Sequence, residues 1–294
     1  MRVSKIHIII LALFGMVFSI QAQDAFPLHP PMHRSPAPIL PMTNWAQPLD
    51  LSDFKASIPS LFKGLSENRI IDSKHSLESF FYKLRLSREG VLKDSVRVLH
   101  VGDSHIRGHF FTESIARKLS SYFSSLWYDD FGINGAVARS FNRPDRLDRI
   151  KEFQPDLLIL SFGTNESHNR RYDPNIHYRQ LDELVHEIRA LLPDIPIILT
   201  TPPGSYERKG RRVYKINPRT DKAVQIIKNY AMDKKMAYWD LFTVVGGSQF
   251  ACDNWSKAKL LRPDHIHYLP EGYELQADLF CEAIIKAYNE YIIL

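Results

Sequence analysis

Ser104 stands where the apolar run Val98-Leu99-His100-Val101 breaks into Gly102-Asp103-Ser104-His105. A serine hydroxyl attacks a carbonyl carbon only with a base to take its proton and donors to hold the oxyanion that forms. A strand that turns directly into a helix supplies part of this. Gly102 permits a sharp turn, and the first amides of the helix point at whatever the serine attacks, with the positive end of the dipole behind them. The plainer alternative is that Asp103 and Ser104 only cap a helix, as both residue types often do.

A base and its partner occur near the other end of the chain, in "RPDHIHYLPEGY". Asp264 and His267 are three apart, a spacing at which the carboxylate can fold back and hold the imidazole in the tautomer a general base needs. Alternatively Asp264 is a turn residue after Pro263 and His267 a surface histidine. Two further stretches carry donors. Gly135, in "FGINGAV", places a backbone N–H in a loop, and Asn165 follows the apolar run of "LLILSFGTNES" with an amide suited to an oxyanion. As a plain strand-end turn residue, Asn165 would need no such role.

These stretches need a frame that carries them to one place. From residue 96 onward short β-rich runs recur at 96–101, 157–162, 195–200 and 236–241, with a shorter one at 126–129. Helical spacing occupies 109–123, 176–192, 217–233 and 271–291. Strands alternating with helices, their apolar runs nearly continuous, predict a mainly parallel sheet covered on both faces. The expected fold is thus a three-layer α/β/α sandwich with a flavodoxin-like sheet of about five strands. Ligands bind such sheets beyond the carboxyl ends of the strands, the rim that Ser104 and Asn165 would share. Before the first strand, Leu77, Phe80, Phe81 and Leu84 have helical spacing and predict a helix lying on the domain.

The N-terminus has a different character. Arg2 and Lys5 precede the 11 apolar-run residues 8–18, and small Ala22 follows near a plausible cut, the pattern of a secretory signal peptide. The run falls short of the roughly 18 to 20 residues a membrane span needs. Residues 1–22 are therefore read as a signal peptide, 23–75 as a proline-rich extension and 76–294 as one α/β domain. A periplasmic or secreted protein without stable membrane insertion is the expectation. The formal charge of +5 falls by two on loss of Arg2 and Lys5, too little and too dispersed to make nucleic acid the main partner. Cys252 and Cys281 could pair, but two cysteines make no disulfide framework. His105 and His109 are four apart, yet no Glu follows His105 and no third ligand is placed nearby, so no metal site is read. The basic run 207–215 reads as a solvated loop that could instead border the site and touch an anionic polymer. Tyr238, Trp239 and Phe242 read as core.

On one α/β frame, "VGDSH", "GINGA", "SFGTNE" and "DHIHYLPEGY" follow in an order that resembles the SGNH hydrolases, also called the GDSL family, over about residues 90 to 290. The resemblance implies Ser104 as nucleophile, Asp264 and His267 as the rest of the triad, and an oxyanion hole of the Ser104 and Gly135 N–H groups with the Asn165 amide. It implies no cofactor. Within that superfamily the chain looks most like peptidoglycan O-acetylesterases and related bacterial carbohydrate esterases, whose substrate would be an O-acetylated glycan or peptidoglycan. In two respects it departs from them. Glu166 follows Asn165 where many members have Asp. Only about 30 residues separate Ser104 from Gly135, too few for the carbohydrate-binding module some peptidoglycan esterases insert there. A lipid or other acyl-ester hydrolase, an O-acetyltransferase and a non-catalytic glycan-binding protein remain as rivals on the same frame.

Overall fold

The structure is a computed structural model that describes residues 47–293. The expected signal segment 1–22 and most of the proline-rich run lie outside the described residues. Strand β1 (Ile70–Ile71) and helix α1 (Glu78–Arg88) lead into β2 (Val96–Gly102), α2 (Ser104–Arg107), α3 (Phe110–Ser120) and β3 (Leu126–Gly132). Then come α4 (Pro144–Phe153), β4 (Leu157–Ser161), α5 (Thr164–His168), α6 (Pro174–Leu191) and β5 (Ile197–Thr200). The hairpin strands β6 (Tyr206–Gly210) and β7 (Val213–Ile216) are followed by α7 (Pro218–Asp233) and β8 (Ala237–Trp239). Helices α8 (Leu241–Val244), α9 (Gly247–Lys257) and α10 (Pro270–Ile293) close the chain.

The main sheet has the order β1-β8-β5-β4-β2-β3. Its five longer-range strands are parallel, and their order, read as 2-1-3-4-5, is the flavodoxin-like one. The sixth strand, β1, is the difference from the expected five. It runs antiparallel on the β8 edge with Ile70 opposite Trp239, and two residues are too few to show a strand period in sequence.

Alternation along the strands divides the core in two. Val98, Leu157, Ile159, Ile198 and Trp239 face one side, with residues of α1, α3 and α10. Leu99, Leu158, Leu160, Leu199 and Tyr238 face the other, with residues of α4, α6 and α7. Because successive strand side chains point to opposite faces, each apolar run supplies both cores at once. The long helices start at visible signals: Asp173 accepts from the Asn175 and Ile176 amides, Asn217 accepts from the Arg219 amide, and a proline follows each.

Residues 47–75 pack on this domain, burying Phe54, Phe62 and Ile70 in the first core. The basic run 207–215 forms the β6–β7 hairpin, which corrects its reading as a loop. Cys252 and Cys281 are free thiols, each buried. Tyr238, Trp239 and Phe242 are core residues.

Candidate active site

Asp103 follows β2 and caps α2, its carboxylate accepting from the His105 amide at 2.9 Å. The two sequence readings of this turn are therefore compatible: Asp103 is the cap, and Ser104 is the first helical residue, half-buried at the rim. The turn needs its glycines. A Cβ on Gly132, in the neighbouring strand, would lie 2.1 Å from the Arg107 nitrogen, and one on Gly102 would lie 2.6 Å from the Ser161 carbonyl oxygen. Backbone passes where any side chain would collide.

His267 comes to Ser104 from a loop 163 residues further on, its Nε2 lying 2.8 Å from Ser104 Oγ. Its Nδ1 lies 3.0 Å from Asp264 Oδ2. A carboxylate only accepts, so the proton sits on Nδ1 and Nε2 is left to accept from the serine hydroxyl. The other oxygen of Asp264 accepts from the Ile266 and His267 amides at 2.9 and 2.8 Å. Partial burial raises the pKa of Asp264, but these amide bonds and the imidazole outweigh it and hold the group below its ordinary value.

Asn165 lies in the first turn of α5, beyond the end of β4. Its Nδ2 donates to the Ala136 carbonyl at 2.9 Å and to Asp103 Oδ2 at 3.2 Å. One contact therefore ties Asn165 to the turn before Ser104, and the other ties it to the loop of Gly135. Gly135 has a φ of 72° and open space on its Cβ side, so a backbone group there is reachable from solvent.

The sequence left Glu166 without a role, and the structure shows where it goes. It is buried, with one oxygen accepting from the Ala138 amide at 2.8 Å and the other from the Gly163 amide at 2.9 Å. It thus clamps the Gly135 loop to the Gly163 turn. A Glu at the third residue of a helix can reach back to the amide before it, which was the available sequence signal. Burial raises its pKa. Burial also pushes Asp103 up to about 8, with repulsion from Glu166 adding to it and the His105 amide opposing it.

His105 is the other residue the sequence did not place. It lies beside His267, ring centroids 5.2 Å apart, and its Nδ1 bonds the Tyr273 hydroxyl at 2.9 Å. Burial lowers its pKa to about 3, and the neighbouring His267 adds to the effect, so it stays neutral beside the base. His109 instead pairs with Asp130 at 2.9 Å. The two histidines thus turn to different partners. Behind Asp103 and His105 lies a cavity of about 30 Å³, also lined by Ser161, Thr164, Thr200 and Gln276. That is room for about one water.

The family model described as "GDSL-like Lipase/Acylhydrolase family" matches residues 100–275. No curated protein sequence matches the chain. Among solved structures, the fold is similar to that of a peptidoglycan O-acetylesterase, at a TM-score of 0.67 and 16% identity, covering 75% of this chain and 99% of that one. A two-domain esterase active on acetylated mannans gives 0.56 at 13% identity, covering 78% of this chain and 57% of that one. An acetyl xylan esterase gives 0.51 at 17% identity, covering 64% of this chain and all of the other, 100%.

Proposed function

The chain belongs to the GDSL-like lipase/acylhydrolase family, and on that footing we propose that it is an exported serine esterase removing O-acetyl groups from a carbohydrate, with peptidoglycan the leading substrate. The observation that carries the chemistry is the chain Ser104–His267–Asp264, at 2.8 and 3.0 Å. The substrate class is taken from the esterases of similar fold, whose names speak of acetylated peptidoglycan, mannan and xylan. Export rests on the N-terminal residues Arg2 to Ala22.

In this reading Ser104 Oγ attacks the acetyl carbonyl as its proton passes to His267 Nε2. Asp264 holds the ring and stabilises the imidazolium. The negative oxygen of the tetrahedral intermediate lies against the Ser104 and Gly135 N–H groups and the Asn165 amide. Both Asn165 hydrogens have partners here, so one must be shared with the oxyanion or turned to it. Collapse breaks the bond to the sugar oxygen, which takes the proton from His267. Water then adds to the acetyl-serine with His267 as base, and acetate leaves.

Segments that could have held an apolar tunnel carry charge instead, Arg143, Asp145 and Arg146 in one and Arg208, Arg211 and Arg212 in another. A buried methylene would gain about 0.8 kcal/mol, so a lipase improves as its substrate lengthens. Here kcat/KM is expected to fall beyond roughly two to four carbons, since added methylenes stay in water. Acetate release from O-acetylated peptidoglycan, xylan and mannan, run beside acyl esters of rising length, tests both points. A steady rise towards octanoate with no acetate from any glycan would turn the reading to lipid hydrolysis.

A further inference from the structure

The β6–β7 hairpin stands directly against the loop that holds His267. The Tyr206 amide donates to the His265 carbonyl at 3.0 Å, and the Tyr214 ring stacks on the His265 ring with centroids 4.1 Å apart. From behind, Arg219 grips Glu207 at 2.6 Å and the Ser167 carbonyl at 2.7 Å, joining the hairpin to α5, the helix of Asn165. Glu207 also pairs with Lys209, and these two partners pull its pKa down to about 2. The hairpin's one carboxylate is thus already neutralised by its neighbours.

Its arginines are in a different position. Arg208 lies opposite Tyr214 in the strand register, so it shares the face that meets the His267 loop. Arg211 and Arg212 form the turn at the tip. All three are exposed, and none forms an ion pair with a carboxylate among the described residues. Arg170 and Arg171, just after α5, and Arg262, just before Asp264, are likewise exposed and unpaired among them. Arg208 Nε donates to the Gly210 carbonyl at 3.1 Å, which leaves its charge uncompensated. Cations without a carboxylate partner among the described residues therefore collect on the segments that carry the site, and one face of the hairpin leads from them to His267. Such a collar attracts anions, and a guanidinium binds a carboxylate through two parallel hydrogen bonds.

We propose that the β6–β7 hairpin is the docking element for a carboxylate-bearing glycan strand, whose carboxylates meet Arg208, Arg211 and Arg212 while an acetylated sugar lies over Ser104. The proposal deepens the esterase reading and rests on it for the direction of the strand. Neutral xylan or mannan would lack the group these arginines receive. Carboxylates can come from uronic acid units or from peptide stems on the glycan, and the chemistry at the hairpin is the same.

The test measures binding without turnover, on the full chain. Polygalacturonate, de-O-acetylated soluble peptidoglycan strands, neutral xylan, duplex DNA and vesicles of anionic phospholipid are the probes. Two charge-matched variants are compared: R208Q/R211Q/R212Q at the hairpin, and K93Q/K151Q/K235Q on exposed lysines before β2, β4 and β8, at the opposite end of the sheet. The hairpin variant should weaken carboxylate-glycan binding about tenfold at low salt, as expected from several exposed ion pairs. The gap should close as salt shortens the screening length. The lysine variant should stay within about twofold of the unaltered chain. Whichever carboxylate polymer shows the loss identifies the source of the carboxylates. Equal losses in both variants, no loss in the hairpin variant, or tighter binding of DNA or vesicles than of either acidic glycan would overturn the proposal. If the esterase reading alone were wrong, acetate release would be missing while this binding pattern persisted.

Discussion

Ser104 and Asn165 sit on short helices that grow out of β2 and β4, whereas His267 sits in a loop closed by its own residues and braced at His265 by the β6–β7 hairpin. Around the serine the fixing groups are buried. Asp103 is 1% exposed and Glu166 6%, and each bonds backbone or side chains from another segment of the site. Around the histidine the fixing group is Asp264, whose side chain is 43% exposed, and three of its bonds go to residues two or three positions away. The oxyanion side is thus specified by long-range packing, while the orientation of the base is specified by one local turn. A substitution on the first side disturbs several segments at once. On the second, Asp264 alone both accepts the amides of the turn and orients the base.

The largest effect should come from removing the atom where the two sides meet. Ser104→Ala should lower acetate release by about 10⁴-fold or more, the scale seen when a serine nucleophile is deleted. Its melting temperature should barely move, because Ser104 lies at the rim. Near-normal release from the folded variant would remove Ser104 from the mechanism.

Asp264 allows its two duties to be separated. Asp264→Asn keeps an oxygen for the Ile266 and His267 amides but loses the carboxylate that selects the His267 tautomer. Turnover should fall by about 10²- to 10⁴-fold with the loop intact. Asp264→Ala loses the turn as well, and amide exchange across 262–268 should rise in it alone. Identical exchange in both variants would mean that the loop does not depend on Asp264.

On the packed side, Asn165→Ala should reduce kcat by about 10²- to 10³-fold with little change in KM, because the charge it meets exists only in the transition state. An effect on KM alone would make Asn165 a ground-state contact.

The smallest expected effect is on stability against pH. The folded-state pKa of Asp264 is below its unfolded value of 3.8. Its contribution is therefore fully present above that value and is lost as pH falls through the folded pKa. Asp103 has the opposite sign: with a folded pKa pushed up to about 8, it disfavours folding increasingly as pH rises from about 4 to 8. Urea titrations of Asp264→Asn should show its deficit shrinking below pH 3.8, and those of Asp103→Asn a deficit that shrinks as pH rises to 8. Parallel curves for both variants would remove the contrast between the two sides.

The sheet and its long helices were legible because burial on two faces requires nearly continuous apolar strands, and an amphipathic helix repeats its apolar face every three to four residues. Val96–Gly102, Leu157–Ser161 and Pro218–Asp233 lie within a residue or two of where that patterning put them. Helices α4 and α9 were not read, and α4 buries only Leu147 and Ile150, too few to stand out as a period. The hairpin was hidden by its charge: alternate positions that face solvent or a ligand carry no hydrophobic signal.

For the site, residue types and strand-end positions were enough to single out Ser104, Gly135, Asn165, Asp264 and His267, because the chemistry demands those types and a parallel sheet exposes that rim. Only the tertiary structure brought Ser104 and His267 to 2.8 Å, gave Glu166 two amides to hold, turned His105 towards Tyr273 rather than His109, and stacked Tyr214 on His265. Each of these depends on where distant segments meet, and linear spacing carries that information only when both partners lie within one turn, as Asp264 and His267 do.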